Sequence, residues 1–146
     1  MSLFAGTASY YRQFRPGIPE DVAETLDQAA PHRSRGRRRL LDIGTGTGLV
    51  AEALLGRFDE IIAIDSDADM LSAAESALRP KLPEGTRLSL VESTAEDFVP
   101  PAGWKADLVT ICRAFHWLDQ TAVLARLNDQ VAPDGVLAIF ADSSFW

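Results

Sequence analysis

The residues best suited to bind a ligand form one short run, 41–48 (LDIGTGTG), between a predicted buried strand and a predicted helix. Glycines allow the chain to turn sharply and let a ligand approach the backbone with no Cβ in the way. The loop after the first strand of an open parallel sheet is also where such folds bind ligands. Alternate glycines would be costly in a turn that bound nothing, so we predict a ligand site at Asp42, Gly44, Thr45, Gly46 and Gly48.

The spacing of the glycines indicates which ligand this is. A phosphate-binding loop needs a Lys-Ser/Thr pair after its glycines, whereas Leu49 and Val50 follow Gly48. A dinucleotide site needs G-x-G-x-x-G, and its third glycine would fall at Leu49. Asp42 would repel a pyrophosphate and suits a cationic amino group. S-adenosylmethionine has such a group and no phosphate, and we therefore predict it as the cofactor.

A second acidic residue follows the next predicted strand, 60–65 (EIIAID). Asp65 comes about twenty residues after the loop, where an acid accepts hydrogen bonds from both hydroxyls of a ribose. Enzymes that bind NAD use the same device, so Asp65 supports S-adenosylmethionine only together with Asp42 and the glycine spacing. Met70, one helical turn further on, is predicted either to lie against the adenine or to belong to the core.

Apolar clusters alternate with amphipathic stretches in the order of an α/β protein. Leu49, Ala53 and Leu54 are expected to share one face of the helix that follows the glycine loop, and Pro80 is expected to end the next one. The predicted strands are 39–43, 60–65, 87–91, 107–112 and 136–140; the predicted helices are 19–30, 48–57, 67–79 and 118–131, with a turn at 133–135.

The composition argues against several kinds of partner, site and location. The 146 residues suit one domain, and a net charge of −7 argues against nucleic acid as a partner. Cys112 is the only cysteine, and His32 and His116 lie in unrelated contexts, so we predict neither disulfides nor a metal site. No apolar run is long enough to cross a membrane and no signal peptide is recognisable, so a cytoplasmic location is expected.

One basic stretch departs from the acidic balance. Residues 32–39 (HRSRGRRR) hold five arginines just before the first strand. Such a run could hold a phosphate or carboxylate, but charge runs usually lie on the surface. The expectation is therefore a solvated connector.

The sequence resembles the class I S-adenosylmethionine-dependent methyltransferases over most of its length. Residues 41–48 resemble the first motif of the family, and 62–71 (IAIDSDADML) resemble the second, in which the acid holds the ribose. Residues 94–98 (TAEDF) resemble a D-A-E-x-L/F segment that meets the adenine amino group, with Thr94 where the family often has Asp. The resemblance implies a Rossmann-like, doubly wound, mostly parallel sheet with helices on both faces, and adds Ser66, Thr94, Ala95 and Glu96 to the cofactor-binding residues.

Two further stretches resemble the small-molecule branch near trans-aconitate methyltransferase. Residues 11–19 (YRQFRPGIP) resemble a segment that folds over the cofactor. The predicted lid consists of Tyr10, Tyr11 and Arg15, and the alternative is that the two tyrosines pack the N-terminal helix onto the sheet. Residues 114–119 (AFHWLD) resemble an A-x-H-W-x-D signature near the methyl acceptor. His116 is the candidate general base; the alternatives are that it lines the substrate site or packs beside Trp117. Arg113 is a candidate for contact with the cofactor or a carboxylated substrate, and the alternative is that it faces solvent. The predicted organisation is an N-terminal covering segment and basic connector, 1–38, and a cofactor-binding core, 39–146.

The predicted function is in-line transfer of a methyl group to a small-molecule acceptor. Family members usually continue well beyond the fifth strand, so the resemblance implies that the usual C-terminal strands are lacking. The alternative is therefore a cofactor-binding module with little catalysis of its own. An NAD-dependent oxidoreductase is disfavoured by Leu49 and Asp42. The fifth strand is expected to form a sheet edge, which a second copy of the chain, in a homodimer, could cover.

Overall fold

The computed structural model describes residues 17–34, 36–112 and 119–140. Helices and strands follow one another along them in the order that the sequence predicted. The helices are α1 (Glu20–Ala29), α2 (Leu49–Ala53), α3 (Ala68–Leu78), continued by a short 3-10 helix (Arg79–Lys81), and α4 (Gln120–Asn128). The strands are β1 (Arg39–Ile43), β2 (Glu60–Asp65), β3 (Arg87–Glu92), β4 (Ala106–Cys112) and β5 (Val131–Phe140).

The five strands form one parallel sheet in the order β3-β2-β1-β4-β5. From β1 the chain moves outward to β2 and β3, and then returns to place β4 on the other side of β1. Where the direction of winding reverses in this way, a crevice opens beyond the carboxyl ends of the strands. The glycine loop, which directly follows β1, lies at this crevice.

Helices cover both faces of the sheet, which explains why the inner strands β1, β2 and β4 are almost entirely buried. On one face Leu40 of β1 packs with Ala23 and Leu26 of α1 and with residues of α2 and α3. On the other face Leu41 and Ile43 pack with Val123 and Leu127 of α4. The predicted doubly wound, Rossmann-like fold is confirmed. The predicted division of the chain after residue 38 stays a prediction.

Helix α2 is shorter than predicted. The sequence predicted a helix over 48–57, but α2 ends at Ala53 and the chain continues in turns to Arg57, whose N–H is donated to the carbonyl of Leu54. Gly56 lies in those turns and weakens helix continuation. The buried side is also different, since Leu49 and Ala53 are only partly buried. The residues that face the core are Val50, Ala51, Leu54 and Leu55.

Strand β5 begins at Val131, so the turn predicted at 133–135 is wrong. Its pairing with β4 moves from Ala106↔Val131 to Leu108↔Val136, which leaves extra residues on β5 as a bulge. A Cβ at Gly135 would lie 2.5 Å from Cγ1 of Val131 and 2.8 Å from the carbonyl oxygen of Ala106. The glycine therefore serves close packing within the strand rather than a turn between elements.

The basic stretch makes hydrogen bonds and ion pairs with other parts of the chain. The expectation of a solvated connector is therefore wrong for Arg33, Arg38 and Arg39. Arg38 is 7% exposed and donates to backbone carbonyls, including that of Ala30 at the end of α1. A guanidinium carries several donors in a fixed fork, which suits it to carbonyls left unpaired at a helix end. Arg38 also forms an ion pair with Asp27 of α1. Further ion pairs join Arg33 to Asp107 and Asp134, and both Arg39 and the more exposed Arg37 to Glu60.

Strand β5 forms one edge of the sheet, as predicted, and within the described ranges its ladder partner is β4 alone. Ile139 on β5 and Leu124 on α4 are large apolar side chains that are nearly half exposed. Of the helices in the described ranges, none combines the length and apolar character that crossing a bilayer requires.

Candidate functional site

The glycine loop has backbone angles that favour glycine at three alternate positions. The φ angles are +66° at Gly44, +57° at Gly46 and +85° at Gly48. Thr45 fixes the loop against the neighbouring strand, because its N–H donates to the carbonyl of Ile64 near the end of β2 over 2.9 Å. The loop therefore has a defined shape on the carboxyl edge of the sheet.

The surroundings of Gly46 and Gly48 assign them different roles. A Cβ on Gly46 would meet nothing within 4 Å, so this glycine leaves open space above the loop. A Cβ on Gly48 would lie 2.8 Å from Cδ1 of Leu78 and 3.3 Å from Cβ of Ala74, both on α3. Gly48 thus permits close packing of α3, while Gly46 leaves room for a ligand to approach the backbone.

Alanine substitutions at these two glycines are expected to have different consequences. Gly48→Ala combines a positive φ with a collision in the core, and should lower the free energy of unfolding by about 2–4 kcal/mol. Gly46→Ala carries only the backbone strain, about 1–2 kcal/mol. Denaturant unfolding of both variants beside the wild type measures the difference, and equal losses would contradict it.

Asp65 joins the end of β2 to the glycine loop. Its Oδ2 accepts the N–H of Gly46 over 2.8 Å, and its Oδ1 accepts the N–H of Asp67 over 2.9 Å. Burial raises the pKa of Asp65, these N–H groups oppose the rise, and the negative charge of Asp67 adds to it. Because each carboxylate oxygen accepts more than one hydrogen bond, Asp65 retains acceptor capacity for the hydroxyls of a ligand.

Asp42 lies beneath the loop and is only 1% exposed. Its Oδ2 accepts the hydroxyl of Thr45 and its Oδ1 accepts the hydroxyl of Thr110, each over 2.7 Å. Burial raises the pKa of Asp42 to about 6, against the effect of the two hydroxyls and with a contribution from the charge of Asp65. The structure thus places this carboxylate as a buried support of the loop, and its predicted attraction for an amino group stays a prediction.

Met70 and Ser66 flank the start of α3. Met70 is 4% exposed, in keeping with the core alternative, and its N–H is accepted by the capping carboxylate of Asp67. Ser66 is exposed beside Asp65. Their contacts with a cofactor stay predictions.

The segment 94–98 follows β3 and lies on the same edge of the sheet. The hydroxyl of Thr94 accepts the N–H of Asp97 over 3.1 Å, and Ala95 is buried. The carboxylate of Glu96 accepts the N–H of Asp119 over 3.2 Å, just before α4. These bonds hold the segment in place, whereas its predicted contact with adenine stays a prediction.

The structure therefore brings the glycine loop, Asp42 and Asp65 together, with segment 94–98 on the same edge. Thr110 is the neighbour that the sequence did not indicate, because only the register of β1 with β4 places it opposite Asp42. Five predicted residues lie outside the described residues: Tyr10, Tyr11, Arg15, Arg113 and His116.

The chemistry of this edge fits a ligand with a cationic group and hydroxyls. Asp42 and Asp65, whose side chains are bonded to residues of the loop, are both carboxylates. Two carboxylates beside a glycine loop disfavour a phosphate. Residues 17–34, 36–112 and 119–140 contain no cluster of side chains suited to a metal ion.

A separate hollow lies at the amino end of β4, on the opposite edge of the sheet. It encloses about 220 Å³ and is lined by 99–105 together with Arg126, Asp129 and Gln130. None of the predicted site residues within the described ranges lines it, and the position of the glycine loop, not the size of this hollow, identifies the candidate site.

Comparison with known proteins agrees with this chemistry. Residues 40–135 match the family model of a methyltransferase domain. An uncharacterized methyltransferase of Mycobacterium tuberculosis is 31% identical over 140 residues, which are 95% of this chain and 52% of that protein. A probable S-adenosylmethionine-dependent methyltransferase of Saccharomyces cerevisiae is 24% identical over 91% of this chain and 44% of its own length. The chain thus spans about half the length of these relatives.

Solved structures share the fold. The S-adenosylmethionine-bound structure of an amino pentose methyltransferase from Micromonospora echinaspora has a TM-score of 0.66 and 27% identity, over 95% of this chain and 56% of its own. An S-adenosylmethionine-dependent methyltransferase from Clostridium acetobutylicum has a TM-score of 0.70 at 21% identity, over 94% of this chain and 57% of its own, which supports the fold alone.

Proposed function

This chain belongs to the S-adenosylmethionine-dependent methyltransferases, and we propose that it transfers the methyl group of that cofactor to a small-molecule acceptor. The observation that carries the proposal is the bond from the N–H of Gly46 to Asp65, which fixes an acid of β2 beside the open part of the glycine loop. An acid in this place accepts hydrogen bonds from ribose hydroxyls.

The positions of the described residues support proposals for the remaining cofactor contacts. Asp42 supplies negative charge beneath the loop, which favours the amino group of the cofactor. Thr94, Ala95 and Glu96 are proposed to meet the adenine amino group, with Ser66 and Met70 beside the nucleoside. A charge-assisted bond such as that of Asp65 contributes on the order of 1.5–3 kcal/mol.

The cofactor supplies an activated methyl group, so the chain has mainly to position the two reactants and exclude water. Tyr10, Tyr11 and Arg15 are proposed to form a lid over the cofactor. An aromatic face beside a sulfonium gives about 0.5–2 kcal/mol of cation–π attraction. The guanidinium of Arg15 suits a bidentate pair with the cofactor carboxylate.

His116 is proposed as the general base for acceptors that must lose a proton, because its ordinary pKa lies near neutrality. Arg113 is proposed to face the cofactor or a carboxylated acceptor. Unchanged turnover in His116→Ala would end the proposal of a base.

The small-molecule class of acceptor draws support from three observations. The segments 11–19 and 114–119 resemble the small-molecule branch near trans-aconitate methyltransferase. The structural neighbour from Micromonospora echinaspora is an amino pentose methyltransferase. The net charge of −7 also disfavours a nucleic-acid acceptor.

The experiment that tests the cofactor is calorimetric titration of the chain with S-adenosylhomocysteine and, separately, with NADH. We expect micromolar binding of S-adenosylhomocysteine, about −8 kcal/mol, and no binding of NADH, because Leu49 stands where a dinucleotide loop needs glycine. Binding of NADH alone would overturn the proposal. Binding of S-adenosylhomocysteine without methyl transfer to any small-molecule acceptor would favour a binding module instead.

A further inference from the structure

Thr110 on β4 is the residue of the site that no motif marks. Its side chain is fully buried, and the strand register places it directly opposite Asp42 of β1. The Thr110 hydroxyl donates to Oδ1 of Asp42, while the Thr45 hydroxyl donates to Oδ2. The carboxylate is therefore held between the glycine loop on one side and β4 on the other.

This arrangement makes each hydroxyl important for the charge of Asp42. A carboxylate buried this deeply is stable as an anion only where hydrogen-bond donors replace the lost water. The described charge that acts on it is the carboxylate of Asp65 on β2, which opposes ionisation. Other titratable groups nearby are Cys112, on the same side of β4 by strand alternation, and Asp67, which lies against Asp65.

We propose that Thr110 is a positioning residue for the cofactor: its hydroxyl keeps Asp42 ionised and oriented beneath the glycine loop. The proposal rests on the proposed function, since it requires the cofactor amino group to bind above this loop. It adds a third anchor to the loop, which is otherwise held to β2 through Ile64 and Asp65.

The proposal predicts a dependence of cofactor affinity on pH. An ionised Asp42 attracts the amino group of the cofactor and a protonated one does not, so affinity falls as the pH drops through the pKa of Asp42. Thr110→Val keeps the shape of the side chain but removes the donor. The anion is then less favoured, and the pH at which affinity is lost moves upward. Thr110→Ser keeps the donor.

The test is titration of S-adenosylhomocysteine into wild-type, Thr110→Val and Thr110→Ser chains at pH values from about 5 to 8.5, with carboxyl ¹³C NMR titration of Asp42 in the same chains without ligand. In the wild type we expect two midpoints near pH 6: that of the carboxyl titration of Asp42 and that of the fall in affinity for S-adenosylhomocysteine. In Thr110→Val both midpoints should rise by about one pH unit, equivalent to about a tenfold loss of affinity below the midpoint. Thr110→Ser should stay near the wild type, and so should Thr121→Val, a matched change on the exposed surface of α4.

Two results would overturn the proposal and are distinguishable. If Thr110→Val lowers affinity equally at every pH and leaves the carboxyl midpoint of Asp42 unmoved, Thr110 merely packs, while the cofactor site stands. If the wild-type chain binds no S-adenosylhomocysteine at any pH, the proposed function fails and the role of Thr110 in cofactor binding fails with it. In that case the NMR midpoints still report whether the hydroxyl controls the charge of Asp42.

Discussion

Replacement of Asp65 by alanine is expected to weaken the binding of S-adenosylhomocysteine at least tenfold, or about 1.4 kcal/mol or more. The substitution removes the acceptor proposed for the ribose hydroxyls, and it also releases the N–H of Gly46, which Asp65 holds at 2.8 Å. Both losses act on the same ligand, because the open space above the loop begins at Gly46. Calorimetric titration of the two chains side by side measures the effect.

A matched control separates this effect from a general loss of negative charge. Glu84 is exposed in the turn before β3, away from the loop, and Glu84→Ala should bind S-adenosylhomocysteine as the wild type does. Asp65→Asn keeps one acceptor oxygen and should fall between wild type and Asp65→Ala. Wild-type affinity in Asp65→Ala would show that the acid at the end of β2 does not hold the ligand.

Asp42→Asn is expected to stabilise the chain at neutral pH while weakening cofactor binding. The pKa of Asp42 is raised to about 6 in the folded chain, whereas an unfolded aspartate titrates at about 3.9. Between these values the folded chain binds more protons than the unfolded one, so the contribution of Asp42 to stability falls as the pH rises. The difference between these two pKa values corresponds to a loss of roughly 3 kcal/mol of folding stability at pH 7. The neutral amide of Asn avoids this loss.

The measurement is denaturant unfolding of Asp42→Asn and wild type from about pH 4 to pH 7. The difference in unfolding free energy should grow in favour of Asp42→Asn as the pH rises toward 6 and then level off. Glu84→Gln, an exposed change of the same kind, should leave the difference near zero. A constant difference across this range would contradict a raised pKa for Asp42.

The same variant tests a conflict between stability and function. A carboxylate buried at 1% exposure is costly for the fold, and it is retained on a loop that faces the proposed ligand. If Asp42→Asn both stabilised the chain and bound S-adenosylhomocysteine with unchanged affinity, the charge beneath the loop would have no role in the site.

The sequence predicted those parts of the fold that depend on local pattern. The bounds of β1 and β2 agree with prediction because each is an apolar run closed by a distinct acidic or glycine-containing segment. Asp65 was found for the same reason, since its place at the end of β2 follows from the strand itself. The predicted helix 67–79 likewise agrees with α3 to within one residue at each end, and Pro80 comes shortly after the last residue of α3.

The errors have a common physical cause, which is that distant parts of the chain decide the local outcome. Residues 133–135 have the composition of a turn, yet they lie within β5, where Val131 and the distant Ala106 leave no room for a Cβ at Gly135. Arg38 belongs to a charged run that was predicted to be exposed, yet its guanidinium is buried and donates to a carbonyl at the end of α1. The bond between Thr110 and Asp42 spans 68 positions and depends on strand register, which no local pattern reports.

The position of β1 in the middle of the sheet also governs the order in which the site is assembled. Leu40 of β1 pairs with Ile61 of β2 on one side and with Leu108 of β4 on the other. One side of β1 therefore stays unpaired until β4, which follows much later in the chain, has been made. Pairings of this kind slow folding, because a long loop must close before any contact is gained. During synthesis the glycine loop and Asp65 leave the ribosome well before Thr110, and a nascent chain with β1 to β3 alone has no donor from β4 for Asp42. With Thr110 in its proposed role, the cofactor site is complete only after β4 has docked on β1.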